Sequence, residues 1–204
     1  AVREAQGEYL LFLNNDVEII TESWLEEMLQ LCQQKDVGMV GAKLYYPDDT
    51  IQHAGVVVGL GGVAAHVLCK LPRDAEGYMG RLRCVQEISA VTAACMMVKT
   101  SVFKAVGGFD EELKVAFNDI DLCMKVRKYG VKIVFTPYAE LYHYESKSRG
   151  MEDTPEKQLR FSREVNCFRR KWERELLKGD PYYNPNLTLN NTDCSLRKQE
   201  KNGD

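Results

Sequence analysis

The chain has 204 residues, of which 45% are apolar, and 27 Lys and Arg against 30 Asp and Glu give it a net charge of −3. This length is enough for one domain with a sizeable core, with or without an extension. The charge balance excludes a non-specific nucleic-acid binder, which needs a basic surface. Its seven cysteines are an odd number without a C-x-x-C spacing, which excludes a disulfide framework and a zinc ribbon and favours reduced thiols in a cytoplasmic protein.

Strands and helices alternate along the first half of the chain, which predicts a mixed α/β sheet covered by helices. We expect a buried strand at residues 9–13 and further strands at 37–44 and 51–58. A helix should follow the first strand, with Thr21 or Ser23 as N-cap and an apolar face formed by Leu25, Met28, Leu29 and Cys32. Residues 66–84 are interpreted as a long connection.

The second half continues the alternation. It predicts a strand-like stretch at 87–98, a short helix at 101–106, a helix at 119–129 and a strand at 132–135 that ends before Pro137. A long charged helix is expected at 155–178. Residues 179–204 are interpreted as a C-terminal extension, with disorder over the last ten.

Three polar residues, Asn14, Asn15 and Asp16, directly follow the first predicted strand. The carboxyl ends of strands in open α/β sheets are where ligands bind. Carboxylate and amide oxygens suit Mg²⁺ or Mn²⁺, which keeps coordination positions open for phosphate oxygens. The alternative is a polar turn that ends the strand and helps to start the next helix.

Asn118, Asp119 and Asp121 lie at the start of a predicted helix, where unpaired backbone N–H groups favour negative charge. The spacing also fits a capping box with Asn118 as N-cap and Asp121 as its reciprocal partner, and we favour that interpretation for Asp121. Asp119 is the better candidate for a general base, because its carboxylate can project into the cleft above the sheet edge.

His143 stands between two tyrosines, with the basic residues Lys147 and Arg149 shortly after it. A neutral imidazole can complete a divalent-cation site, and a packed, hydrogen-bonded histidine is the alternative. Lys147 and Arg149 can bind phosphate as charge-assisted donors or simply form an exposed basic loop. His53 and His66 flank a glycine-rich stretch, and we assign them no role beyond substrate contact.

Five ordered segments resemble the family 2 glycosyltransferases of the GT-A fold, and most of all the bacterial rhamnosyltransferase-like branch that builds O-antigens and other surface polysaccharides. They are GEYLLFLNND at 7–16, AVTAAC at 90–95, GGFDE at 107–111, NDIDL at 118–122 and TPYAELYH at 136–143. Both the order and the spacing fit, from residue 1 to about residue 185.

The resemblance implies a role for each matching position. Asp16 would coordinate a Mn²⁺ or Mg²⁺ ion on the donor diphosphate, with Asn14, where the family has Asp, as a weaker ligand or a ribose contact. His143 would complete the metal shell. Asp119 would be the catalytic base of an inverting displacement. The other implied donor- or acceptor-binding positions are Asn15, Thr92, Ala93, Asn118, Asp121, Lys147 and Arg149.

The implied partners are a nucleotide-diphosphate sugar and a saccharide or lipid-linked acceptor, with peripheral association at the inner face of a membrane. The family carries nucleotide-binding strand–helix units upstream of these segments. We therefore interpret residues 1–178 as the C-terminal part of an N-terminally truncated GT-A domain that binds donor weakly by itself. We also expect an exposed sheet edge that can pair with another chain, including a second copy.

Two other functions stay open at this point. One is a non-catalytic remnant or interaction module with the same fold, and the weaker one is a nucleotidyltransferase on a similar sheet. An enzyme should place Asp16, Asp119 and His143 around one cleft, whereas a scaffold would let them scatter. A nucleotidyltransferase should carry a Gly- and Lys-rich phosphate loop near its first strand.

Overall fold

A computed structural model describes residues 2–145 and 154–198, which form a mixed α/β fold. The strands are β1 (Tyr9–Leu13), β2 (Val17–Ile19), β3 (Val37–Tyr45), β4 (Ile51–His53), β5 (Val56–Val58), β6 (Ala64–His66), β7 (Gln86–Glu87), β8 (Cys95–Lys99) and β9 (Lys132–His143). The α-helices are α1 (Trp24–Cys32), α2 (Thr100–Ala105), α3 (Asn118–Tyr129), α4 (Pro155–Lys171) and α5 (Glu173–Lys178). Short 3₁₀ turns cover Val2–Glu4, Leu60–Gly62 and Tyr78–Gly80.

Within the described residues the main sheet has seven strands, in the order β1-β8-β3-β9-β2, with β4 added to β3 and β7 to β9. The central pair β3 and β9 is parallel, and the other pairs are antiparallel. A separate two-stranded sheet joins β5 to β6. The expected mixed sheet flanked by helices is therefore confirmed.

The strand at 9–13 is an edge strand, and the prediction that it is buried is wrong. In the part of the chain that the structure describes, β1 pairs with β8 alone. Leu10 is its one buried residue, and Leu13 is 41% exposed. An apolar run of five residues fits a half-buried edge as well as a buried interior, so the sequence could not separate the two.

The strand predicted at 132–135 is much longer in the structure, because β9 continues through Pro137 to His143. The register with β3 shifts between the pairs Gly41–Phe135 and Lys43–Glu140. The residues around Pro137 lie in this irregularity, where a missing N–H donor removes no ladder hydrogen bond. The additional residues of β9 place His143 beside β2, where it pairs with Val17.

Three other predicted elements are interrupted. Gly55 has a φ of +101°, in the left-handed region that favours glycine, and it divides the strand expected at 51–58 into β4 and β5. Residues 88–94 leave the sheet between β7 and β8, so the expected strand at 87–98 is also divided. The helix expected at 155–178 breaks at Trp172 into α4 and α5.

Apolar side chains pack on both faces of the main sheet. The larger cluster includes Met39, Phe135 and Phe168, and the smaller one lies under α1. In α1 the buried face contains Trp24, Met28 and Cys32, whereas Leu25, which was expected on that face, is 40% exposed. None of the helices in the described ranges is long and apolar enough to cross a bilayer.

The tail after α5 packs on the domain through Tyr183, Leu187 and Cys194, all of which are buried. Thr188 N donates to Ser195 O over 2.8 Å. Residues 195–198 belong to the stretch for which disorder was expected, and Arg197 N also donates to Asn186 O over 2.8 Å. Residues 199–204 lie outside the described part of the chain.

Candidate active site

The polar turn after β1 meets the end of β9. Because Val17 pairs with His143, the residue before it, Asp16, lies against the imidazole. His143 Nε2 lies 3.3 Å from Asp16 Oδ1 and 3.0 Å from Asn14 Nδ2. The side chains of His143 and Asp16 are only 10% and 15% exposed. Tyr144 N also donates to Asp16 O over 2.8 Å, which fixes the turn to the strand.

Asp119, at the start of α3, reaches the loop before β8. Its Oδ2 accepts a hydrogen bond from Ala93 N at 3.3 Å, and its Oδ1 accepts one from Ile120 N at 2.8 Å. The next residue of that loop, Ala94, accepts a hydrogen bond from Asn14 N at 3.0 Å. Asp119 and the Asn14 turn therefore contact neighbouring residues of one loop, and they line the same region of the molecule.

Thr92 makes hydrogen bonds both within the loop before β8 and to β4. Its Oγ1 accepts a hydrogen bond from Ala94 N at 3.3 Å, and its backbone N donates to His53 Nε2 at 3.5 Å. Thr92 and Ala93, which the family resemblance proposed as binding positions, thus connect Asp119 with the histidines of β4 and β6. Their loop lies outside the sheet because the predicted strand at 87–98 is interrupted there.

The start of α3 differs from the expected capping box. The helix is preceded by Phe117, whose φ is +63°, and Asn118 Oδ1 accepts a hydrogen bond from Asp119 N at 2.7 Å. Asp121 does not act as the reciprocal cap. It is fully buried and accepts a hydrogen bond from Trp172 Nε1 at 2.8 Å.

Asp121 is also the buried anion of a partly exposed ion-pair cluster. Lys171 Nζ and Lys125 Nζ lie 2.7 Å and 3.1 Å from its carboxylate oxygens. With Trp172 these contacts hold α3 against the end of α4. Asp121 therefore supports α3 from inside the protein instead of capping it, and its carboxylate has no face open to a ligand.

Glu164 on α4 anchors the loop that leads into α3, and nothing in the sequence singled it out. It is buried, and its carboxylate accepts hydrogen bonds from Lys114 N at 3.1 Å, Val115 N at 3.2 Å and Ala116 N at 2.8 Å. Three backbone donors on one carboxylate fix the approach of the chain to Asp119.

The three histidines of the chain lie near one another, a grouping that sequence reasoning missed. His53 Nδ1 lies 3.0 Å from His66 Nδ1, and their rings meet edge to face. Burial, together with the nearby His66 and His143, holds the pKa of His53 well below its ordinary value. Burial also lowers the pKa of His66, although the Asp119 and Glu145 carboxylates oppose that shift. Both imidazoles are therefore neutral near pH 7.

The predicted site residues separate into four groups, one of which is the fully buried Asp121 alone. Those that the structure brings together are Asn14, Asp16, Thr92, Ala93, Asp119 and His143. Asn15 is exposed in the same turn, and Asn118 adjoins Asp119. Lys147 and Arg149 lie outside the described residues.

The donor set of this site is small. Within residues 2–145 and 154–198, no three His, Cys, Asp or Glu side chains are arranged to hold a metal ion. Asp16 and His143 supply one carboxylate and one imidazole, and Asn14 adds an amide. Such a set fits an ion that keeps part of its coordination for phosphate and water.

Comparison with known proteins gives a consistent result. The model of a family described as "Glycosyltransferase like family" matches residues 1–164. An uncharacterized protein, y4gI, of Sinorhizobium fredii is 56% identical over 197 residues, which is 96% of this chain and 22% of that protein. The O-antigen biosynthesis protein RfbC of Myxococcus xanthus is 41% identical over 205 residues, which is 100% of this chain and 16% of that protein. The chain thus spans less than a quarter of the length of these relatives.

A solved structure supports the fold. The mannosyltransferase PcManGT from Pyrobaculum calidifontis, in complex with GDP-Man and Mn²⁺, matches with a TM-score of 0.53 over 85% of this chain and 41% of that chain. The two sequences are 16% identical, so the likeness concerns the fold.

Proposed function

Because this chain belongs to the glycosyltransferase-like family and has the GT-A fold, we propose that it supplies the cation-binding edge and the base of an inverting glycosyltransferase. The enzyme would move a sugar from a nucleotide-diphosphate donor to a hydroxyl of a saccharide or lipid-linked acceptor in surface polysaccharide assembly. One observation carries this proposal: Asp16 and His143 meet at 3.3 Å, and Asp119 contacts the loop that also holds Asn14.

Asp16, His143 and Asn14 are the residues that would hold a Mn²⁺ or Mg²⁺ ion. Their carboxylate, imidazole and amide groups suit these ions, which take few protein ligands and retain positions for phosphate oxygens. When bound, the ion neutralises the charge on the departing nucleoside diphosphate. The Mn²⁺ in the mannosyltransferase of the same fold supports this assignment.

Asp119 would act as the general base. Backbone N–H groups of Ala93 and Ile120 hold one carboxylate oxygen each, which sets the orientation of the group. The acceptor hydroxyl gives its proton to Asp119 while its oxygen forms the bond to the anomeric carbon. The bond from that carbon to the diphosphate oxygen breaks, and its electron pair leaves with the nucleoside diphosphate. A single in-line displacement inverts the anomeric centre.

Release of nucleoside diphosphate tests the proposal. The chain is mixed with Mn²⁺, saccharide acceptors and a panel of nucleotide sugars at high concentration, because donor binding by this chain is expected to be weak. Asp119→Asn should lower the rate by about a hundredfold or more, as loss of a general base does. Asp36→Asn, at an exposed position paired with Lys132, is the matched control and should keep the rate. Equal rates for the Asp119 variant and the wild type would favour the non-catalytic module instead.

A further inference from the structure

Gln52 lies at the centre of the candidate site, although no motif marks it. It is on β4 and is 4% exposed. Its Nε2 lies 3.2 Å from His143 O and 3.4 Å from Glu145 Oε2, and its Oε1 lies 2.7 Å from His143 Nδ1. One buried amide therefore contacts both the ring and the backbone of His143.

These contacts fix which way the amide faces. A backbone carbonyl and a carboxylate can only accept hydrogen bonds, so the atom facing both of them must be the NH₂ group. The opposite atom, facing His143 Nδ1, is then the carbonyl oxygen, which can only accept. His143 Nδ1 must therefore carry a hydrogen.

The other ring nitrogen follows from this assignment. In a neutral imidazole with hydrogen on Nδ1, Nε2 has a lone pair. Nε2 is the atom that lies 3.0 Å from the Asn14 amide nitrogen, a donor, and 3.3 Å from the Asp16 carboxylate. A lone pair and a carboxylate oxygen so close together repel each other unless a cation lies between them or a proton is added.

We infer that Gln52 is a positioning residue, which holds His143 in the Nδ1–H tautomer and so keeps the Nε2 lone pair available to a divalent cation beside Asp16. This inference rests on the proposed function, in which His143 binds the cation. A ring that carried its hydrogen on Nε2 would instead donate to Asp16 and close the site. Histidine ligands in metal sites are commonly oriented by such a hydrogen bond to the second nitrogen.

Nitrogen NMR of the metal-free protein tests the inference directly. Long-range ¹H–¹⁵N spectra distinguish Nδ1–H from Nε2–H, and with three histidines in the chain each ring can be assigned by substitution. We expect His143 to be Nδ1–H in the wild type. In Gln52→Met, similar in size but unable to accept strongly, His143 should shift wholly or partly to Nε2–H.

Binding of Mn²⁺ alone gives a second measurement, read as paramagnetic broadening of the His143 ring signals. Loss of the orienting hydrogen bond should weaken binding roughly tenfold to a hundredfold in Gln52→Met. Gln86→Met is the matched control, because the Gln86 amide donates to the carbonyls of Arg81 and Cys84. It should change neither the tautomer nor the affinity.

The outcomes separate the inference from the proposed function. An Nε2–H ring in the wild type, or an unchanged Nδ1–H ring in Gln52→Met, would overturn the role of Gln52. An Nδ1–H ring that depends on Gln52 but is not broadened by Mn²⁺ would support the positioning by Gln52 and overturn the cation site. The tautomer of His143 in the wild type is measured without any variant, so this test remains decisive even if Gln52→Met fails to fold.

Discussion

His143 Nε2 lies 3.3 Å from Asp16 Oδ1, and the pairing of β2 with β9 sets that distance. Val17 is the partner of His143 in this pairing, so the residue before it is brought to the ring. A shift of one residue in the pairing would turn one of the two side chains to the other face of the sheet. The candidate cation site is therefore a consequence of strand register.

Glu164 should matter for both stability and the position of Asp119. Glu164→Ala leaves three backbone donors of residues 114–116 without their acceptor, and we expect a loss of about 2 kcal/mol in the free energy of unfolding, measured in urea. Amide hydrogen exchange should become faster at those three residues. Glu156→Ala, at an exposed position in the first turn of the same helix, should leave this exchange unchanged and lower the free energy of unfolding by less than about 1 kcal/mol. Unchanged exchange in Glu164→Ala would show that the carboxylate does not anchor the loop.

The buried cysteines should resist alkylation. Burial raises the pKa of Cys32 to about 11 and that of Cys95 to about 12, so the thiolate, which is the reactive form, is scarce at pH 8. Cys84 is exposed. Mass spectrometry after treatment with iodoacetamide at pH 8 should find Cys84 modified and Cys32 and Cys95 unmodified until urea unfolds the chain. Early modification of Cys95 in the folded protein would contradict its burial.

Stability should fall in acid because of His53. Its folded-state pKa is lowered, so the unfolded chain binds the proton more readily, and stability that is complete above about pH 6.5 is lost as the pH falls below that value. One such group changes the free energy of unfolding by at most about 1.4 kcal/mol per pH unit. The other titratable groups that act on His53 are His66 and His143, and Asp119 and Glu145 act on His66.

Substitution isolates this contribution. His53→Gln should reduce the slope of unfolding free energy against pH between pH 6.5 and 5, measured by urea titration at each pH. An unchanged slope would mean that His53 is protonated as easily in the folded protein as in the unfolded chain.

Local sequence patterns predicted the bounds of those helices and strands whose ends are set by residues within or next to the element. Helix α3 begins one residue before the predicted 119–129 and ends at Tyr129, followed by Gly130 with a φ of +96°. Strand β3 extends the predicted 37–44 by one residue. In both cases apolar content and a terminal breaker are enough to define the element.

The predictions from sequence fail where contacts with residues far away in the chain determine the local structure. Pro137 normally ends a strand, but the irregular register between β9 and β3 accommodates it. Gln52 carries no signal, because its importance depends on a contact with His143 across the fold. Asp121 has the spacing of a helix cap, yet it is buried, where it accepts a hydrogen bond from Trp172 and forms an ion pair with Lys171.

The most direct test of the account is the identity of the nitrogen bound to the cation. Electron spin echo measurements on the protein loaded with Mn²⁺ detect coupling to a directly bound imidazole nitrogen. We expect such coupling in the wild type and in His66→Gln, and its loss in both His143→Gln and Asp16→Ala, the latter through failure to bind the ion. Nitrogen coupling that persists in His143→Gln, or its absence from the wild type, would contradict a cation site formed by Asp16 and His143.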